Sequence, residues 1–190
     1  MVAIASFSVI IFFLIFYLPG RVFNEQPSLL NGIRTPNAFV SPEAGLPMHL
    51  SIPKINLDAA IEYLGLASSG IMAVPEGPTD VAWFDLGPRP GEAGSAVIAG
   101  HEGWRDGIVA AFDDLHELQK GDKVYVEDET GMTTVFVVRG VQTYDQNGDA
   151  SSVFSSSDGK AHLNLITCEG TWNAAQKSYS NRLVVFTDKE

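Results

Sequence analysis

From His49 onward, apolar and polar positions alternate in short runs that break at turn residues, the signature of half-buried strands. The runs are His49-Ile55, Asp58-Tyr63, Val81-Phe84, Ser95-Ala99, Lys123-Asp128, Thr133-Tyr144, His162-Thr167 and Arg182-Thr187. Between them lie Ser68-Ser69-Gly70, Arg89-Pro90-Gly91 and Asp145-Gln146-Asn147-Gly148, each rich in residues that turn a chain. A helical period shows only over Ala110 to Leu118, where Phe112, Leu115 and Leu118 recur at every third position. The pattern predicts an all-β domain over residues 48–190: a closed barrel of about eight strands with one or two short helices. A sandwich would satisfy the same runs, but a barrel also removes the exposed edges that many short strands leave.

The N-terminal part reads differently. Val2 to Leu18 carries no charged side chain and is closed by Pro19-Gly20-Arg21. As a helix it would rise about 26 Å, slightly short of the roughly 30 Å hydrocarbon core of a bilayer. It lacks the basic start and the small-residue cleavage pattern of a signal peptide. We read residues 1–20 as an uncleaved, single-pass membrane anchor, ahead of a cleaved signal or a buried helix. Arg21 and Arg34 both follow the span, so the charge rule taken alone leans towards a cytoplasmic C-terminal side. Residues 21–47, with Pro27, Pro36, Pro42 and Pro47 and no period, read as an extended linker.

Charge narrows the function classes. With 23 acidic against 12 basic residues the net charge is −11, and no basic run occurs. Nucleic acid binding needs clustered Lys and Arg against phosphate, so it is excluded as a role. A single cysteine rules out an internal disulfide and any multi-cysteine zinc site. Asp145, Asn147 and Asp149 match the first positions of a calcium loop, but Ala150 and Ser156 stand where that loop needs Gly and Glu. Asp113, Asp114 and Glu117 read as a solvated acidic helix face. Neither a metal nor a cofactor is expected.

Three residues carry candidate chemistry. Cys168 lies past the apolar run around Leu163 and Leu165, flanked by Thr167 and Glu169, which places a thiol at a strand end near solvent. A buried structural cysteine is the commoner fate of a lone Cys, but polar neighbours and available partners argue against it here. His101, in Gly100-His101-Glu102-Gly103, ends an apolar run between glycines that permit close approach. Arg182 opens the last strand after Ser178-Tyr179-Ser180-Asn181. A thiol, a proton partner and a cation are the parts of a nucleophilic site. Trp104 and Trp172, beside His101 and Cys168, line a peptide groove or pack at the barrel rim. Glu102 is expected to point away from His101 along the strand, so no residue orienting His101 is legible.

The combination resembles the sortase family of cysteine transpeptidases over residues 48 to 188. Leu165-Ile166-Thr167-Cys168 matches the end of the family's TLxTC-like motif, with Asn164 in place of its first Thr. His101 and Arg182 match the family's upstream strand-end His and downstream Arg. Leu50-Ser51-Ile52-Pro53-Lys54-Ile55 and Lys120-Gly121-Asp122-Lys123-Val124 are similar to other landmarks. The short connection between Cys168 and Arg182 is most similar to classes D, E and F.

The resemblance implies that Cys168 attacks the Thr carbonyl of an LPxTG-like sorting signal on an exported protein. His101 then serves as acid and base, Arg182 steadies the oxyanion, and Thr167 contacts the peptide. The acyl group passes to an amine acceptor of the cell wall or a pilin, in a domain held outside the cell membrane. At unperturbed values a Cys and a His leave only roughly 1% of molecules as thiolate with imidazolium near neutral pH. The family is expected to work from that reverse-protonated minority. A cysteine protease releasing the acyl group to water, and a non-catalytic surface barrel, are the alternatives.

Overall fold

Eight strands close on themselves: β1 Pro47–Ile52, β2 Leu57–Leu64, β3 Val81–Phe84, β4 Gly94–Gly100, β5 Lys123–Asp128, β6 Thr133–Asp145, β7 Ala161–Asn173 and β8 Ser178–Lys189. Their order around the barrel is β1-β2-β3-β4-β7-β8-β6-β5, with β5 returning to pair with β1. The computed structural model describes residues 44–175 and 178–190. The expected anchor over 1–20, and the linker as far as residue 43, lie outside the described residues. No helix among the described residues is long and apolar enough to cross a membrane. β1 starts at Pro47, inside the expected linker, since a proline is tolerated as the first residue of a strand.

Two of the pairings are parallel, β2 with β3 and β4 with β7; the others are antiparallel. The alternation seen in the sequence sorts side chains to the two faces of this sheet. Ala96 and Ile98 of β4, Leu163 and Leu165 of β7, and Leu183 and Val185 of β8 point into the barrel core. Val97, Ile166, Val184 and Phe186 point outward, where Val153 of the only α-helix among the described residues, α1 (Ser151–Phe154), packs on them. Each fully buried aliphatic side chain contributes about 1.5–3 kcal/mol, so both faces of this part of the sheet are fixed in place.

The helix expected over Ala110 to Leu118 is a chain of turns ending in a 3₁₀ turn at Leu115–Glu117. Phe112, Leu115 and Leu118 are all buried as their spacing required. A strict period of three suits the 3₁₀ helix, which has three residues per turn, better than the α-helix. Asp113 is not part of a solvated face. Its carboxylate accepts the Gly103 N–H at 2.7 Å and the Ala110 N–H at 2.9 Å, closing the loop that follows β4.

Asn164, the departure from the family motif, is fully buried on the outer face of β7. Its Nδ2 donates to the Val153 carbonyl at 2.6 Å, so it ties α1 to the sheet. At the same end of β7, buried His162 bridges Asp188 (2.7 Å) and Asp158 (3.0 Å), and Arg139 also reaches Asp188. The imidazole bond, with the Lys160 N–H and the Ser156 hydroxyl, holds the Asp158 carboxyl well below the usual carboxylate range. His162 thus serves the structure.

Candidate active site

The site is built where three neighbouring strands end or pass one another. β4 and β7 run parallel, in a register that pairs Ile98 with Leu165 and Ala99 with Ile166. The same register carried two residues further sets His101 level with Cys168. Thr167 Oγ1 donates to the Gly100 carbonyl at 2.8 Å and extends the match between the two strands. On the other side of β7, Cys168 pairs directly with Arg182 of β8. Residues level with one another on paired strands share a face. Counting outward from Ile166, Val184 and Val97 puts Cys168, Arg182 and His101 together on the outer face.

Local backbone explains how each side chain is held. Gly100 leaves the space that the Phe112 ring fills, since a Cβ there would sit 2.6 Å from a ring carbon. The Phe112 N–H donates to the His101 carbonyl at 2.9 Å, which fixes the strand end from the other side. The His101 ring lies 2.8 Å by Nε2 from the Pro75 carbonyl oxygen and stacks at a tilt on Trp104, 4.7 Å between centroids. Arg105 in turn covers the Trp104 ring at 5.7 Å. Arg182 Nη1 donates to the carbonyls of Asn181 (2.8 Å) and Tyr179 (3.2 Å), and Nη2 to Ser178 Oγ (3.2 Å). A planar fork held at both ends cannot swing away from the sheet.

The thiol is half-buried, and burial pushes it above its ordinary value. Arg182 pulls it down, while the negative charge of Glu102 pushes it further up. Glu102 is itself raised, first by burial, then by Glu169 and Asp113, with His116 acting the other way. Most Cys168 is therefore a protonated thiol at neutral pH, and the thiolate is a minority form. Arg182 is the group that sustains this minority.

Several expectations need correction. Cys168 is not at a strand end: β7 continues to Asn173 across a bulge between Glu169 and Trp172, and β8 begins at Ser178, ahead of Arg182. Gly170 permits the bulge, at φ 89°, where a Cβ would strike Ser180 Oγ. Thr167 points to the opposite face from Cys168, is buried, and bonds to Gly100, so it fixes the two strands together and does not face a peptide on the outer surface. Glu102 is not turned away from the site. β4 has ended by Gly100, strand alternation no longer applies, and the carboxylate comes close enough to Cys168 to act on its thiol. Trp172 is exposed and packs edge-on against Tyr179, whose hydroxyl lies over Gly103. Trp172 and Tyr179 thus lie beside Gly103, the residue that precedes Trp104.

A family model described as the sortase domain matches residues 50–190, most of the chain and all of the barrel beyond the first part of β1. The chain belongs to the sortase family. Solved sortases share its fold. Sortase C-1 from Actinomyces oris aligns with a TM-score of 0.59 at 24% identity, covering 75% of this chain and 72% of that one. Sortase C1 from Streptococcus agalactiae gives 0.59 at 22%, covering 75% of this chain and 66% of the other. A lid mutant of sortase A from Corynebacterium diphtheriae gives 0.58 at 21%, covering 81% and 74%. A comparison with curated protein sequences finds no match.

The residues that the sequence picked out for chemistry are brought together by this sortase barrel. Pro75 and Asp113, which hold the His101 loop, were not picked out. Pro75 acts through a backbone carbonyl, which leaves no trace in residue type. Asp113 lay inside a pattern read as a helix.

Proposed function

We propose that this sortase is a membrane-anchored cysteine transpeptidase that cuts an LPxTG-like sorting signal and transfers the acyl group to an amine. The observation that carries the reading is the row of His101, Cys168 and Arg182 across the outer face of β4, β7 and β8. The Cys168 thiolate attacks the Thr carbonyl carbon of the signal. The S–C bond forms, the C–N bond breaks, and the His101 imidazolium gives its proton to the departing amine. The acceptor amine then attacks the thioester and returns a proton to His101, and the C–S bond breaks to restore the thiolate. Arg182, its guanidinium already fixed by backbone carbonyls, faces the oxyanion of both steps.

The apolar stretch Val2 to Leu18 supports a membrane anchor, with the barrel outside the cell, where exported substrates and amine acceptors of the cell wall or pilins are found. Trp172, packed on Tyr179, and Trp104, next to the Gly103 that the Tyr179 hydroxyl approaches, supply an apolar edge for the bound peptide.

The test is incubation of the full chain in detergent with an LPxTG-type peptide library and an amine acceptor, followed by mass spectrometry of Cys168. A thioacyl adduct that converts to amide product is the expected result, and Cys168→Ala abolishes it. An adduct that only hydrolyses points to a cysteine protease. A chain that forms no adduct with any peptide refutes the reading.

A further inference from the structure

The His101 ring has one nitrogen already committed. A carbonyl oxygen only accepts, so His101 Nε2, 2.8 Å from the Pro75 oxygen, must carry a hydrogen there. Nδ1 is then the nitrogen left to take and release the mobile proton. The carbonyl is itself held in place. Pro75 is buried in the segment between β2 and β3. One end of that segment is tied by the Ala73 N–H to Gly65 O at 3.0 Å, and the other by the Ala111 N–H to Pro78 O at 2.8 Å. Ala111 precedes Phe112, whose N–H holds the His101 carbonyl. The segment that carries Pro75 is thus closed on itself at one end and clasped at the other to the loop that holds His101.

We propose that the Pro75 main-chain carbonyl is the positioning group of this site, fixing His101 as the Nε2–H tautomer and directing its Nδ1 proton to the reaction. It takes the place that a carboxylate or side-chain amide holds in other nucleophile–histidine sites. An uncharged acceptor orients the ring without adding a further negative charge to surroundings that already hold Glu102 and Glu169. In acylation the Nδ1 proton leaves with the amine, and the neutral ring keeps its Nε2–H on Pro75. In deacylation the acceptor's proton returns to Nδ1, and the bond to Pro75 persists through both halves. The catalytic part of this assignment rests on the transpeptidase reading; the tautomer does not.

The test separates the two. The full chain is labelled with ¹⁵N-histidine, and the His101 ring signals are assigned by their loss in His101→Gln. Long-range proton–nitrogen correlation under conditions where the ring is neutral is expected to show Nε2 protonated and Nδ1 bare. An Nδ1–H tautomer, or rapid exchange between the two forms, overturns the proposal whether or not a substrate is known. The second arm replaces Glu76 by its α-hydroxy acid, which turns the Pro75–Glu76 amide into an ester and weakens the Pro75 oxygen as an acceptor. The tautomer preference should weaken and kcat fall by about three- to tenfold with KM unchanged, while the rate of Cys168 alkylation stays the same. An ester variant with unaltered tautomer and kcat refutes the positioning role. Failure to form any acyl adduct refutes the transpeptidase reading alone.

Discussion

Thr167 and Gly100 stand 67 residues apart in sequence, and the Thr167 hydroxyl donates to the Gly100 carbonyl at 2.8 Å in the interior. That bond lies one residue before Cys168 on β7 and one before His101 on β4, so it sets the separation between nucleophile and acid. Thr167→Val removes the donor and keeps the shape. We expect a loss of about 1–2 kcal/mol in denaturant unfolding, and a fall in kcat/KM of about tenfold at a temperature where the variant is folded. Thr167→Ser keeps the hydroxyl and should stay near wild type in both measurements.

Gly100→Ala tests the same strand end from the opposite side. The new methyl meets the Phe112 ring at 2.6 Å, and Phe112 is wholly buried and bonded to His101 through its backbone. Overpacking of this kind costs about 1–3 kcal/mol. A second substitution, Phe112→Leu, makes room, so a double-mutant cycle followed by thermal melting should show a favourable coupling.

Glu102→Gln separates charge from shape beside the thiol. The carboxylate raises Cys168, so its removal lowers the thiol and enlarges the thiolate fraction. Alkylation by iodoacetamide at neutral pH should become about two- to fivefold faster, since one unit of pKa is a tenfold change. Stability follows the same sign. Glu102 is raised in the folded chain, so its protonated form favours folding and that contribution is lost as pH rises through the carboxylate range. The Gln variant should melt about 2 °C higher at neutral pH, with the difference vanishing once pH falls below about 4.

Arg182→Lys keeps the positive charge and removes the fork that bonds to Tyr179, Asn181 and Ser178. Thiol alkylation should change by less than about threefold, because the charge that lowers Cys168 persists. Acyl transfer should fall by about a hundredfold or more, the usual cost of a lost oxyanion donor. Arg182→Ala should lose both.

Asn164→Asp replaces an amide donor by a second acceptor facing the Val153 carbonyl in a fully buried position. The variant should lose about 3 kcal/mol at neutral pH in urea unfolding. It should recover part of that on acidification, when the carboxyl takes up a proton it can donate to Val153.

The strands were legible wherever one face is buried, because burial imposes a period of two on β4, β7 and β8. Legibility stopped where burial stops. Glu169, Gly170 and Thr171 leave the barrel as a two-stranded arm with little to cover on either side, so no apolar rhythm marks the last part of β7. The helix α1 is four residues long, begins with two serines, and is stabilised by packing Val153 and by Asn164, both tertiary effects. Within the site, Cys168, His101 and Arg182 were visible because each adjoins an apolar run. Glu102 was misplaced by extending strand alternation past a strand that had already ended. Pro75 was invisible because its contribution is a main-chain oxygen.

The parallel pairing of β4 with β7 has a consequence for the life of the chain before it is folded. β5, β6 and α1 all lie in the connection between these two strands. Long connections close slowly, so β4 and β7 should come together late. Until they do, pairing of β7 with β8 can already set Arg182 beside the thiol, but His101 and the burial that barrel closure supplies are missing. A chain with one cysteine cannot form a wrong internal disulfide while it waits, although a thiol on another molecule can still capture it. Barrel closure both withdraws the sulfur and gives it a partner, so the speed at which Cys168 alkylates is a gauge of how much of a preparation has finished folding.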